Sequence, residues 1–307
     1  MSAARRRLRS AVALAYLAAL AAALAVGAAL PGRHPLLVTA AADLVATLVV
    51  FAASVRHDNS SLYDPYWSVA PIPIAAWWLS LASPAPTARG WLAAALVLAW
   101  GARLTANCLQ RWRDLGDEDF RYREIRGRTG RWYWPASLLT IHLFPTAWVL
   151  LGLAPLFPAL TGPGRPPGWL DAAAALLTAG AILVEGLADL QLRRFLAARA
   201  DPAAVLREGL WRWSRHPNYL GEVLFWWGLW LFGLAADPAW WWTVAGPLAI
   251  TGLFTFVSVP WMDRRMAARH PGWPGPWPPR RAGWPAGPRR AAAPAPPPRP
   301  TAPGSAR

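Results

Sequence analysis

The chain is a succession of long apolar runs broken by short polar stretches, and that alternation leaves few folds open. Runs suited to membrane helices cover 11–30, 36–56, 67–83, 90–109, 136–158, 169–190, 220–236 and 239–260. They measure roughly 17–25 residues, the length a helix needs to cross the bilayer hydrocarbon. In lipid every backbone polar group must find its partner within the protein, which favours helices for runs of this length. The expected fold class is therefore all-α, a polytopic membrane helix bundle of seven or eight transmembrane helices. The run 67–83 is the weakest, being short and interrupted by Pro71 and Pro73.

Charge placement orders these runs. The net charge of +15 comes from arginine alone, since the chain has no lysine. With the N-terminus inside, the segment 110–135 holds seven arginines and 191–219 holds six. The opposite loops carry only Arg33, Arg89 and Arg165. That asymmetry follows the positive-inside rule and points to basic loops facing anionic lipid rather than nucleic acid. Residues 1–35, with Arg5, Arg6, Arg7 and Arg9 before an Ala/Leu run, read as a signal-anchor helix. Residues 36–265 form the membrane domain. Residues 266–307, rich in Pro, Arg and Ala, read as a disordered tail. Cys108 is the single cysteine and the histidines show no ligand spacing, so no metal is expected.

Polar residues gather at the expected cytoplasmic ends. Glu185, Asp189 and Arg193 recur every four residues, so a helix puts them on one face, with Arg194 beside them. Two acids one turn apart repel unless a cation or a hydrogen-bonding ligand lies opposite. The sequence offers the arginines of 207–215 or a nucleotide for that role. The stretch WRWSRHPNYLGE (211–222) adds Arg215, His216, Asn218, Tyr219 and Glu222. Pro217 predicts a turn over 214–217, with Asn218 as the N-cap of the next helix. Arg193, Arg194 and Arg215 suit phosphate. Near 61–68, Tyr63, Asp64 and Tyr66 are candidate proton donors, as is Tyr219. The loop 110–135 is either a solvated stretch with internal ion pairs or a folded cap over a cavity.

These segments resemble a bacterial membrane family of uncharacterised proteins related to steroid 5-alpha-reductases. The resemblance covers roughly 40–265 and rests on DPYWSVAPI, RWRDLGDEDFRYREIR, LVEGLADLQLRRF, GLWRWSRHPNYLGEVLFWWGLWL and VPWMDRRM. It implies a membrane bundle that takes NADPH from the cytoplasm. Glu185, Asp189 and Arg193 then stand where the reductases bind cofactor with Asn, Asp and Arg, so Glu185 departs from the pattern. Asn218 and Glu222 match the Asn and Glu of the family's next segment. The family's substrate-holding Glu and Tyr correspond loosely to Asp64 and a neighbouring tyrosine.

The expected function is an NADPH-dependent reductase of a carbon–carbon double bond in a lipophilic, steroid-like or enone substrate, in the bacterial inner membrane. Catalytic candidates are Asp64, Tyr66 and Tyr219. Cofactor candidates are Glu185, Asp189, Arg193, Arg194, Arg215, His216, Asn218 and Glu222. RHPNYLGE also fits membrane methyltransferases that use S-adenosylmethionine, and a non-catalytic lipid-binding protein is a third expectation.

Overall fold

A computed structural model describes residues 3–270 and Trp273. The tail predicted beyond Arg265 lies, past His270, outside the described residues except for Trp273. All regular elements among the described residues are helical. α1 (Ala3–Ala29) and α2 (Pro35–Arg56) form the first antiparallel pair. A short 3-10 turn, Ser60–Tyr63, leads into α3 (Tyr66–Val69) and α4 (Pro71–Ser80). α5 (Ala88–Arg111) is followed by α6 (Phe120–Thr129), α7 (Tyr133–Ser137), α8 (Phe144–Leu153) and α9 (Leu156–Thr161). α10 (Trp169–Ala198), α11 (Pro217–Ala236), α12 (Ala245–Leu253) and α13 (Val259–Arg269) complete the bundle.

Helix starts carry recognisable chemistry. Thr87 accepts from the Gly90 amide at 3.1 Å to cap α5, and Asp119 accepts from the Arg121 amide at 2.8 Å to cap α6. α11 corrects the expectation for Asn218. Pro217 is already its first helical residue and His216 precedes it as the cap. Proline fits that position because its fixed φ is helical and its missing N–H would have no partner there.

Among the described residues, seven helical segments are long and apolar enough to span a bilayer: Ala3–Ala29, Pro35–Arg56, Ala88–Arg111, Phe120–Leu153, Trp169–Ala198, Pro217–Ala236 and Pro238–Arg269. Large apolar side chains on them, among them Leu17, Leu98, Leu176, Leu183 and Phe256, are exposed, as lipid-facing residues are. The protein is an integral membrane protein. The weak third run forms α3 and α4, broken before Pro71 and too short at roughly 1.5 Å per residue to cross alone. Contacts nevertheless fix its ends. At one end of the bundle, the Ser83 amide donates to the Thr161 carbonyl at 3.2 Å and the Arg165 amide to the Ala236 carbonyl at 3.1 Å. At the other, the Ser60 amide donates to Glu118 at 2.9 Å and the His216 ring meets Asp263 at 2.9 Å. α3 and α4 therefore carry the chain from one end to the other inside the bundle, with Tyr66 and Trp78 buried.

The segment 110–135 is folded against the bundle, and it also carries internal ion pairs such as Arg113–Asp117 at 3.2 Å and Arg121–Asp119 at 2.9 Å. Asn59 donates to the Leu115 carbonyl at 2.6 Å, the Asp119 amide to Ser61 at 2.8 Å, and Trp261 to Glu124 at 2.8 Å. These bonds fasten it to the loop after α2 and to α13.

The core is aromatic. Trp100 of α5 stacks on Phe225 at 4.4 Å between centroids and meets Trp226 edge-on at 5.3 Å. Lipid offers little hydrophobic drive between helices, so close packing at small residues matters more. Gly221 and Gly228 set α11 directly on α10. A Cβ at Gly221 would lie 2.8 Å from the Ala181 carbonyl oxygen, and one at Gly228 3.0 Å from the Thr178 nitrogen.

Candidate functional site

Close contact at Gly221 brings α10 and α11 together where their acids lie. Glu185, Asp189 and Glu222 are all buried. Their cation is Arg103, from the middle of α5, and not an arginine of 207–215. Its guanidinium is ion-paired with Glu185 and reaches Asp189 at 3.2 Å. Asn107, one turn further along α5, donates to Asp189 at 2.7 Å. Arg193 donates to Gln110 at 2.8 Å and to Asn107 at 3.4 Å. Glu222 accepts from Trp100 at 3.0 Å and from Trp226 at 2.7 Å.

The group is incompletely satisfied. Arg103 Nε and Asn218 Oδ1 are buried with no hydrogen-bond partner. Buried polar atoms without partners are uncommon and costly. Beside Arg103 Nε, the residues Arg103, Asn107, Gln110, Gly186, Asp189 and Arg193 line a pocket of about 140 Å³. Three carboxylates around one guanidinium, with amides and a second arginine at the rim, can accept hydroxyls and amides and can hold an anion.

The remaining cofactor candidates separate from this group. Arg194 is exposed. Arg215 and His216 turn to α13, where buried Asp263 meets Arg215 at 3.0 Å and His216 at 2.9 Å. Burial holds the His216 imidazole below its ordinary range, against the pull of Asp263. Tyr219 stacks on His216 at 5.2 Å and meets Phe254 edge-on. It joins this second cluster.

The tyrosine-and-acid reading of 61–68 is redistributed by the fold. Asp64 does not pair with Tyr63 or Tyr66; it accepts from Tyr122 of α6. Burial and then the nearby charge of Asp119 push its carboxyl up to about 6. Tyr66 instead donates to Asp43 of α2 at 2.8 Å, both side chains buried. Tyr63 shares a hydrogen bond of 2.8 Å with Thr146, which meets Thr47 at 2.9 Å. Trp67 packs against this tyrosine cluster and touches Trp100 edge-on at 5.8 Å. Trp67 thus links the cluster that holds Tyr66 to Trp100 and its bond to Glu222.

Asp43, Arg103 and Asn107 were not singled out from the sequence. For the first two a signal existed: each is a lone ionisable residue within an apolar run, where charge is expensive and calls for a partner. Asn107, near the end of its run, carried none.

Residues 50–273 match the DUF1295 family, described as a protein of unknown function. The uncharacterized protein C594.04c of Schizosaccharomyces pombe (strain 972 / ATCC 24843) is 30% identical over 230 residues, covering 67% of each chain. No solved structure matches the chain. The matched segment contains Tyr66, Arg103, Asn107 and every polar residue of α10 and α11 described above, with Asp43 just ahead of it. The chain belongs to the DUF1295 family, as a polytopic helical membrane protein.

Proposed function

We propose that this protein is a membrane-embedded, NADPH-dependent reductase of a carbon–carbon double bond in a lipophilic carbonyl compound. The observation that carries the reading is the buried Asp43–Tyr66 pair, linked through Trp67 and Trp100 to the unsatisfied charged group on α5, α10 and α11. Ionisable groups inside a membrane bundle are expensive, and by default they mark function. RHPNYLGE fits either cofactor, and the likeness of EGLADLQLRR to a reductase segment is what favours NADPH over S-adenosylmethionine. By charge, this group faces the cytoplasm under the positive-inside rule.

The donor set fits one end of a nucleotide. Asp189 and Asn107 suit ribose hydroxyls or a carboxamide, and Arg193 and Gln110 suit phosphate oxygens. NADPH, when bound, would supply hydride to the β-carbon of the alkene. The chain's own task is to polarise the carbonyl and deliver a proton. Tyr66, whose one O–H rests on Asp43, would turn that O–H to the substrate carbonyl, with Asp43 holding the phenol in place until then. The aromatic wall of Trp67, Trp100 and Phe225 keeps water away, which strengthens each of these hydrogen bonds. Substrate would enter from the bilayer.

Calorimetry on the detergent-purified protein tests the cofactor. NADPH should bind, and Asp189→Ala and Asn107→Ala should each weaken it by about tenfold or more, the scale of a lost charge-assisted hydrogen bond. Tyr66→Phe should leave NADPH affinity unchanged while slowing enone reduction by about 10²–10⁴-fold. Binding of S-adenosylmethionine alone would overturn the proposal. Binding of neither would favour a non-catalytic lipid-binding role.

A further inference from the structure

The first two helices enclose a furrow that the reductase chemistry does not use. α1 and α2 are antiparallel, so the start of one and the end of the other share the arginine-rich end of the bundle. There Arg6 and Arg7 of α1 and Arg56 of α2 rim a cavity of about 760 Å³. Below the rim, Leu14, Ala15 and Ala18 of α1 face Val49 and Ala53 of α2. The small side chains leave the space open. From Arg7 to Ala18 the furrow runs roughly 16 Å along α1, at about 1.5 Å per residue. Its rim therefore lies at headgroup level and its floor among acyl chains.

None of these three arginines is ion-paired among the described residues. The adjacent acid, Asp58, is held by Arg126 at 2.8 Å. A positive-inside bias asks for arginines near the membrane surface. It does not require three of them to converge from two helices on one apolar furrow. A phosphodiester head with no cation of its own matches that rim through charge-assisted hydrogen bonds. A zwitterionic head brings an ammonium that the rim repels. We propose that the α1–α2 furrow binds one anionic phospholipid, its phosphate at Arg6, Arg7 and Arg56 and an acyl chain along Leu14, Ala18 and Val49. The proposal does not depend on the reductase reading.

Native mass spectrometry of the full chain, incubated with equal amounts of dioleoylphosphatidylglycerol and dioleoylphosphatidylcholine, tests this. One phosphatidylglycerol should be retained per protein, with a preference on the order of a hundredfold from three arginines. Replacing all three (Arg6→Gln, Arg7→Gln and Arg56→Gln) should bring the two lipids to parity. Arg264→Gln, which removes an exposed arginine of α13, should leave the preference intact. Ala18→Trp fills the furrow from its exposed side with the arginines in place, and should abolish retention. Equal retention of both lipids by the unsubstituted chain overturns the proposal. So does a phosphatidylglycerol preference that survives either the triple replacement or Ala18→Trp.

Discussion

α5 carries two interior arginines that both reach acids on α10, and the two pairings are accounted for differently. Arg89, near one end of the bundle, donates to Asp171 through two nitrogens, the second at 3.0 Å, and Asp171 also accepts from the Gly168 amide at 2.8 Å. That is one cation, one anion and a closed set of hydrogen bonds. Arg103, at the other end, answers Glu185 and Asp189 together, with Glu222 beside them and Arg103 Nε left without a partner. A satisfied buried pair fixes the register of two helices. An unsatisfied one stores a demand for a ligand. The same two residue types on the same two helices thus serve as a fastening at one end and as a candidate binding site at the other.

The fastening should break hardest. Arg89→Met leaves the partly buried Asp171 without its cation, and should cost about 2–3 kcal/mol, the scale of hydrogen bonds to charged groups, in thermal or denaturant unfolding in detergent. NADPH affinity per folded molecule should be unchanged. A loss of affinity at full stability would erase the distinction between the two ends. Next, Gly221→Ala adds a methyl group where α10 and α11 touch behind Glu185. Overpacking of that kind should cost about 1–3 kcal/mol and weaken NADPH binding as well, because it shifts the acids it lies against. Binding that is untouched by it would separate the acids from the helix contact.

Asp189→Asn should show the opposite profile from Arg89→Met. Removing one of three crowded carboxylates relieves repulsion as well as losing attraction. Unfolding should therefore change by less than about 1 kcal/mol while NADPH affinity falls by about tenfold. The last effect is one of pH and concerns Asp64, outside both pairings. Its carboxyl is raised in the folded state from an ordinary value of 3.8 to about 6, so folding favours the protonated acid. The stability it contributes is complete below about pH 4 and is lost as pH rises through about 6. Asp64→Asn should flatten that part of the stability profile, by at most about 3 kcal/mol, when unfolding is compared with the unsubstituted chain across this range. An identical slope in the variant would assign the titration elsewhere.

Much of this was readable along the chain. The four-residue spacing of Glu185, Asp189 and Arg193 placed them on one face, and α10 is helical throughout that stretch. Glu185, Asp189, Arg193 and Glu222 do converge on one buried group. Arg215, His216 and Tyr219 do not join it, because Asp263 on α13 draws the first two away and Tyr219 follows by stacking on His216. That choice was invisible locally, since the RHPNYLGE segment carries no mark of which neighbour it will meet. The weak run at 67–83 was correctly marked as broken, yet its passage through the bundle shows only in the contacts at its two ends.

By itself, the sequence determined the membrane-helix architecture, the basic end of the bundle and the shared faces of individual helices. These follow from periodicity, length and charge, which act over a few turns or across a bilayer. Tertiary structure alone decided the partners. Asn107 meets Asp189 and Glu118 meets Ser60 across long stretches of chain, and Tyr66 chooses Asp43 over the nearer Asp64. The physical reason is that a buried hydrogen bond or ion pair depends on where helices pack, and small residues such as Gly221 set that packing without announcing what they bring together.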